Sequence, residues 1–223
     1  MMTLNDLPLA TALALGLLTA YLAGSIPSAV WIGKSFYGVD VREKGSKNAG
    51  TTNTIRVLGL LPGIFVLAID VLKGWFAVYM AKFFGSSLVE MNSDYLVYYQ
   101  LVVGIFAVLG HALPVFARFK GGKGVATSLG VILLLDWKIG LITLVIALAI
   151  MAVSKYVSLG SVMAALVFVI IQIVVMIATD SFDITRFICV VILGGLLIIR
   201  HRANIKRLLN GTENKLGSKK KEA

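Results

Sequence analysis

The chain reads as an all-α, polytopic membrane helical bundle of about seven transmembrane helices, with its N-terminus external and its C-terminus cytoplasmic. Three observations predict this. Of 223 residues, 58% are hydrophobic and only 14% are charged, against roughly 45–50% and about 25% in an ordinary soluble domain. The apolar residues stand in blocks, as at 129–135, 139–153 and 164–178, wider than any amphipathic stripe. Lysine and arginine collect in alternate connections between the blocks, the bias that orients a chain in a bilayer.

The first expected span covers residues 7–32. Asp6 is the only charge before Lys34, so the basic leader of a cleaved signal peptide is missing and a retained span is expected. The second, 62–84, carries Asp70 and Lys73 at i, i+3, where isolated charges are costly; a pair facing the bundle interior is expected, as a structural ion pair or a substrate contact. The third, 96–116, ends near His111, read as a structural hydrogen bonder. The fourth, 125–135, and the fifth, 139–153, fall short of the ~20 residues a perpendicular helix needs. They are tilted, covered by neighbours, extended into the flanking motifs, or merged into one re-entrant hairpin. The sixth spans 159–178. The seventh, 184–199, holds the single cysteine, Cys189, which can form no intramolecular disulfide and reads as a small buried hydrophobe.

The connections after the first, third, fifth and seventh spans hold Lys34, Arg42, Lys44, Lys47 and Arg56; Arg118, Lys120 and Lys123; Lys155; and Arg200, Arg202, Lys206, Arg207, Lys215 and Lys219 to Lys221. The alternate connections hold Glu90, Asp94, Asp136, Asp180 and Asp183 beside Lys82, Lys138 and Arg186. Seven spans with an external N-terminus put every basic segment in the cytoplasm. The net charge of +10 therefore serves topology and an anionic ligand. No aromatic-studded basic groove points to nucleic acid. Residues 1–210 read as a single transmembrane domain and 211–223 as a solvated, mostly flexible basic tail.

Four polar segments carry chemistry, all on the expected cytoplasmic side. The first runs from Gly45 through Ser46, Lys47, Asn48, Ala49, Gly50, Thr51 and Thr52 to Asn53, with Arg56 beyond. Glycines let successive N–H groups face one anion, and the hydroxyl and amide side chains add neutral hydrogen-bonding groups. Arg56 offers a bidentate phosphate contact. The second holds Gly110-His111, Pro114 and Phe116, then Phe119-Lys120-Gly121-Gly122-Lys123-Gly124-Val125-Ala126-Thr127. It leads into a span, so its N–H groups and a helix N-terminus can meet phosphate. It lacks the Gly-x-x-x-x-Gly-Lys-Ser/Thr of a nucleotide-binding P-loop. The third is Lys155-Tyr156-Val157-Ser158-Leu159-Gly160-Ser161. The fourth is Arg200-His201-Arg202-Ala203-Asn204-Ile205-Lys206-Arg207, where His201 and Asn204 share a helix face. A polybasic juxtamembrane helix explains the arginines there but not the His/Asn pair. No His, Cys, Asp and Glu cluster has metal-ligand spacing, so no metal or other cofactor is expected.

In this order the segments resemble the bacterial acyl-phosphate:glycerol-3-phosphate acyltransferases, the PlsY family, from Gly24-Ser25-Ile26-Pro27 to Gly211-Thr212-Glu213. The resemblance implies a multi-pass inner-membrane enzyme that moves a fatty acyl group from acyl phosphate to the 1-hydroxyl of glycerol 3-phosphate. The products are 1-acyl-glycerol-3-phosphate (lysophosphatidate) and phosphate, in the first acylation of phospholipid synthesis. The partners it implies are those two substrates and membrane lipids, with no obligate protein partner evident. The His-x-x-x-x-Asp signature of CoA-using relatives is absent: Phe116 follows His111 and Lys206 follows His201 at the Asp position.

Carried onto matching positions, the family's active-site residues are Ser46, Arg56, Lys123, Ser158 or Ser161, His201 and Asn204, with Ser158 preferred. Asn48, Gly50, Thr52, Asn53, Lys120, Gly121, Gly122, Gly124 and Ser161 are the expected substrate-binding groups. Lys47 stands where many relatives have glycine. For proton removal the candidates are His201 and a phosphate oxygen of a bound substrate, the second preferred, with Asp40, Glu43 and Glu213 the other cytoplasmic carboxylates. A covalent acyl-serine on Ser46 or Ser158 is the competing mechanism. A transporter or channel for a phosphorylated anion is the competing function, although a transport site belongs near the bilayer midplane.

Overall fold

A computed structural model describes residues 9–88 and 91–216, which form ten α-helices with no strand among the described residues. α1 (Leu9–Gly24) and α2 (Ser28–Tyr37) make a pair bent by 40°. The expected first span is thus broken at Ser25-Ile26-Pro27. Pro27 has no N–H to continue α1, and its ring drives Ile26 out of helical conformation. Residues 7 and 8 of that span lie outside the described residues. α3 (Thr51–Leu58) leads through Gly59 into α4 (Leu60–Lys82), which runs on as a π-helical turn at Phe83–Leu88. Then follow α5 (Ser93–Ala112), α6 (Val125–Leu135), α7 (Trp137–Ser154), α8 (Val157–Ala178), α9 (Ile184–Arg200) and α10 (Arg202–Leu209). α9 and α10 meet at His201 at a 58° bend.

α4 is the central helix, packed against α1, α3, α5 and α6. The approach of α4 to α6 depends on small residues. A Cβ at Gly74 would strike the Thr127 carbonyl, and one at Gly130 would strike that of Val71, so the two backbones touch as in membrane helix pairs. One core cluster joins Val78, Ile105, Val108, Val131, Phe168, Val190 and Leu193 from five helices. An alanine-rich one, Ala20, Ala77, Ala81 and Ala107 with Tyr99, locks α1 against α4 and α5.

The outer surface is apolar. Ile142, Val145 and Leu148 of α7, with Ile170, Val174 and Ile177 of α8, are exposed; water would not tolerate a contiguous face of this kind, and lipid requires it. Among the described residues α4, α5, α7 and α8 are each long and apolar enough to cross a bilayer, and counting the two bent pairs as single spans brings the total there to six. α6, with 11 residues, extends only ~16 Å at ~1.5 Å per residue. Two acidic residues of the alternate connections cap helices. Asp136 accepts from the N–H groups of Lys138 and Ile139 at 3.1 Å, and Asp183 from that of Arg186 at 2.7 Å, satisfying donors that α7 and α9 cannot.

Candidate active site

A chain of contacts gathers all four polar segments at one end of the bundle. Just ahead of the first, Asp40 binds Arg42 at 2.7 Å and Lys34 at 3.2 Å. The Arg42 hydrogen bonds hold the Asp40 carboxyl well below the usual carboxylate range, against the effect of its burial. Arg42 also donates to the Ala117 carbonyl at 3.0 Å, clamping the first loop to the second. Asn53, 1% exposed, staples the first loop from within. It donates to the carbonyls of Val41 at 2.7 Å and Lys44 at 3.2 Å and accepts the Ser46 N–H at 2.7 Å. Ser46 is left exposed on the turn, Gly50 opens α3 in extended conformation, and Thr52 and Arg56 are half-buried on α3.

The second segment leaves α5 through Arg118 and Phe119, both left-handed at φ 54° and 58°. Two non-glycine residues in that region are strained. They are held by the Phe119 N–H on the Pro114 carbonyl at 2.8 Å and that of Lys120 on Ala117 at 3.2 Å. Lys120 is exposed. Gly122 donates to the His111 carbonyl at 3.1 Å and accepts from Arg200 Nη2 at 2.8 Å, which joins the loop to the end of α9. Gly124 caps α6 at φ 90°. Lys123 is half-buried beside Glu213 and three arginines. Burial pushes its ammonium down to about 8, and Arg207, Arg200 and Arg56 add to this against the opposing charge of Glu213. Arg56 and Lys123 therefore share one electrostatic field.

The third and fourth segments meet on Glu213. Its Oε1 accepts from Ser158 Oγ at 2.9 Å and Asn204 Nδ2 at 2.7 Å, and its Oε2 from Arg207 Nε at 2.6 Å. Burial alone would raise its pKa; hydrogen bonds from Asn204, Arg207 and Ser158 outweigh this and hold it below the usual carboxylate range. Ser161 instead donates to the Val157 carbonyl of its own helix at 2.9 Å, so of the two serines Ser158 faces the cluster. His201 is 2% exposed, and burial with the Lys123 charge lowers it to about 4. It is neutral at pH 7. Nδ1 lies 2.8 Å from the Leu197 carbonyl, which can only accept, so Nδ1 carries the proton and Nε2 is the hydrogen-bond acceptor of the ring.

Glu213 is the residue that sequence reasoning undervalued, as an edge carboxylate in a basic tail. The chain stays tied to the bundle past residue 210. Gly211 turns at φ 68°, Glu213 enters the cluster, Lys215 lies over the Tyr156 ring at 5.8 Å, and the Leu216 N–H reaches the Lys155 carbonyl at 2.7 Å. Residues 211–216 are packed because Glu213 supplies the carboxylate that three donors need. Residues 217–223 lie outside the described residues. Among the described residues no three potential metal ligands cluster.

A sequence profile for glycerol-3-phosphate acyltransferases matches residues 14–211. The chain belongs to the glycerol-3-phosphate acyltransferase family. A Fusobacterium nucleatum glycerol-3-phosphate acyltransferase is 48% identical over 196 residues, 87% of this chain and 93% of the relative. One from Geobacillus kaustophilus is 44% identical over 203 residues, 91% and 95% of the two chains. Two crystal structures of PlsY, an integral membrane glycerol 3-phosphate acyltransferase, share the fold. Its glycerol 3-phosphate form superposes with a TM-score of 0.80 at 35% identity, covering 92% of this chain and 96% of that one. Its lysophosphatidic acid form gives 0.77 at 33%, covering 92% and 95%. This glycerol-3-phosphate acyltransferase is thus an integral membrane enzyme, and the polar end of its bundle is the candidate active site.

Proposed function

We propose that the enzyme uses acyl phosphate as donor, acylates the 1-hydroxyl of glycerol 3-phosphate, and does so at the cytoplasmic face of a bacterial inner membrane. What supports this is that Arg56 and Lys123, and Lys123 and a neutral His201, influence one another electrostatically at one polar bundle end, beside an apolar outer surface. A lipid-borne acyl phosphate and a soluble polyol phosphate can both reach such a rim. Orientation is read as seven spans, with α6 included, α1–α2 and α9 each crossing once, α10 on the cytoplasmic side and the N-terminus outside; the basic connections support it.

In this reading Arg56, Lys123 and the N–H groups of the glycine loops hold the phosphate of glycerol 3-phosphate, while His201 Nε2 and Asn204 orient the glycerol. The 1-hydroxyl oxygen attacks the acyl carbonyl carbon, the carbonyl–phosphate oxygen bond breaks, and the hydroxyl proton passes to a substrate phosphate oxygen. Lysophosphatidate and inorganic phosphate leave. A histidine lowered to about 4 is a weak base at neutral pH, which favours the substrate as proton acceptor. The donor is already activated, so positioning, worth roughly 7–11 kcal/mol in favourable cases, is the main contribution asked of the protein. Purified enzyme given acyl phosphate and glycerol 3-phosphate should release lysophosphatidate and phosphate in equal amounts; product from acyl-CoA but not acyl phosphate would overturn the donor assignment.

A further inference from the structure

A buried ionic cluster lies beneath the glycine-lysine loop and has no place in the chemistry above. Asp70 and Lys73 of α4 are 1% and 5% exposed, His111 of α5 6%, and Ser28 of α2 4%. Asp70 Oδ1 accepts from Ser28 Oγ at 2.6 Å, pairs with Lys73 Nζ at 2.8 Å, and lies 3.7 Å from His111 Nδ1. Lys73 also donates to the Ile26 carbonyl at 3.0 Å, one of those freed by the α1–α2 break. Charges at this depth are costly, and a buried pair can often be replaced by apolar side chains without loss of stability. Stability alone therefore does not call for the cluster.

Its remaining contacts lead into the site. The His111 carbonyl receives the Gly122 N–H at 3.1 Å. His111 Nε2 and the Ala49 carbonyl sit so close to Gly122 that a Cβ there would collide with both. Arg200 grips the Gly122 carbonyl at 2.8 Å. A small cavity lined by Ser28, Lys73, His111, Ala49, Gly121 and Gly122 joins the cluster to both anion-binding loops. We propose that the Asp70–Lys73–His111 cluster is a positioning device, which sets the His111 ring and carbonyl as the floor for Gly121 and Gly122 and thereby fixes where Lys123 presents its ammonium group. This rests on Lys123 as a ligand of the glycerol 3-phosphate phosphate.

The test is a set of variants in detergent-purified enzyme: Asp70→Asn/Lys73→Met, His111→Asn, Gly122→Ala, His111→Asn with Gly122→Ala, and Lys123→Ala as control. His111→Asn keeps a short polar group toward Asp70 and removes the ring edge under Gly122. It and the charge-free double variant should raise KM for glycerol 3-phosphate about tenfold, with KM for acyl phosphate changed less than about twofold and Tm within a few degrees of the parent. The loss in kcat/KM from Gly122→Ala should shrink severalfold in the His111→Asn background, because the nearer of the two colliding groups is gone and only the Ala49 carbonyl remains. Equal shifts in both KM values, or independent effects at 111 and 122, would overturn the proposal. Should His111→Asn not fold, Asp70→Asn/Lys73→Met leaves no orphaned charge and decides alone: wild-type KM values in that folded protein overturn it. An unchanged KM in Lys123→Ala would instead show that the phosphate assignment fails.

Discussion

Lys47 adopts the left-handed region at φ 58°, where a residue with a Cβ is penalised by about 1–2 kcal/mol. The turn it makes is the one a glycine would make, so the lysine changes its strain and leaves its path intact. Lys47→Gly should keep activity and raise stability by up to about 1 kcal/mol, part of the relief being offset by glycine's freedom in the unfolded chain; thermal unfolding in detergent measures it, and a lower Tm would mean the lysine side chain stabilises the loop. Lys123 predicts a pH dependence. Below its folded value of about 8 the ammonium is present and affinity for a phosphate is level on this account. Above it the free enzyme loses the proton, and KM for glycerol 3-phosphate should climb, approaching about tenfold per pH unit. Lys123→Arg, charged throughout, should abolish the climb even if it binds less well. His201, already neutral, should add no inflection near pH 6.5, and His201→Gln should leave the shape of the kcat profile unaltered.

At the scale of elements, apolar blocks announced the helices because hydropathy is a local property: α6 occupies 125–135 and α7 to α9 begin or end within two residues of expectation. The α1–α2 break was written in Pro27, yet a block average across 7–32 hides it. Loop architecture was less legible. Asn53 sits in a polar run among hydroxyl and amide groups that all read as ligands, and nothing periodic reveals that its amide is spent on backbone groups seven to twelve residues away. Asn53→Ala would orphan those groups around a side chain that is 1% exposed. At roughly 1 kcal/mol per hydrogen bond the loss is about 2–3 kcal/mol, and activity should fall with it because Ser46 and the start of α3 lose their register. Chemical denaturation alongside turnover tests this; a stable but inactive variant would place Asn53 on the substrate instead.

For the molecule as a whole, the polar end concentrates positive charge from four distant segments, and like charges packed together need an internal anion. Glu213 is that anion, taking donors from α8 and α10 while its field reaches Lys123 and His201. Its place among lysines concealed this, since a basic run reads as solvated tail and its partners are up to 55 residues away in sequence. Because its folded value is lowered, the stabilisation it contributes is present above its unfolded value near 4.5 and fades as pH falls below that; Glu213→Gln should flatten acid unfolding in that window. The same logic sets where the chain can be cut. Ending it after Asn210 removes the carboxylate and leaves Ser158, Asn204 and Arg207 without their shared acceptor and Lys123 and His201 beside uncompensated arginines, so turnover should drop at least about a hundredfold. Ending it after Leu216 keeps Glu213, the Lys215–Tyr156 contact and the Leu216–Lys155 hydrogen bond, and should leave turnover within about threefold of the full chain. Steady-state assays of the two truncations against Glu213→Gln separate the charge from the strap: equal activity in both truncations would mean that neither shapes the site.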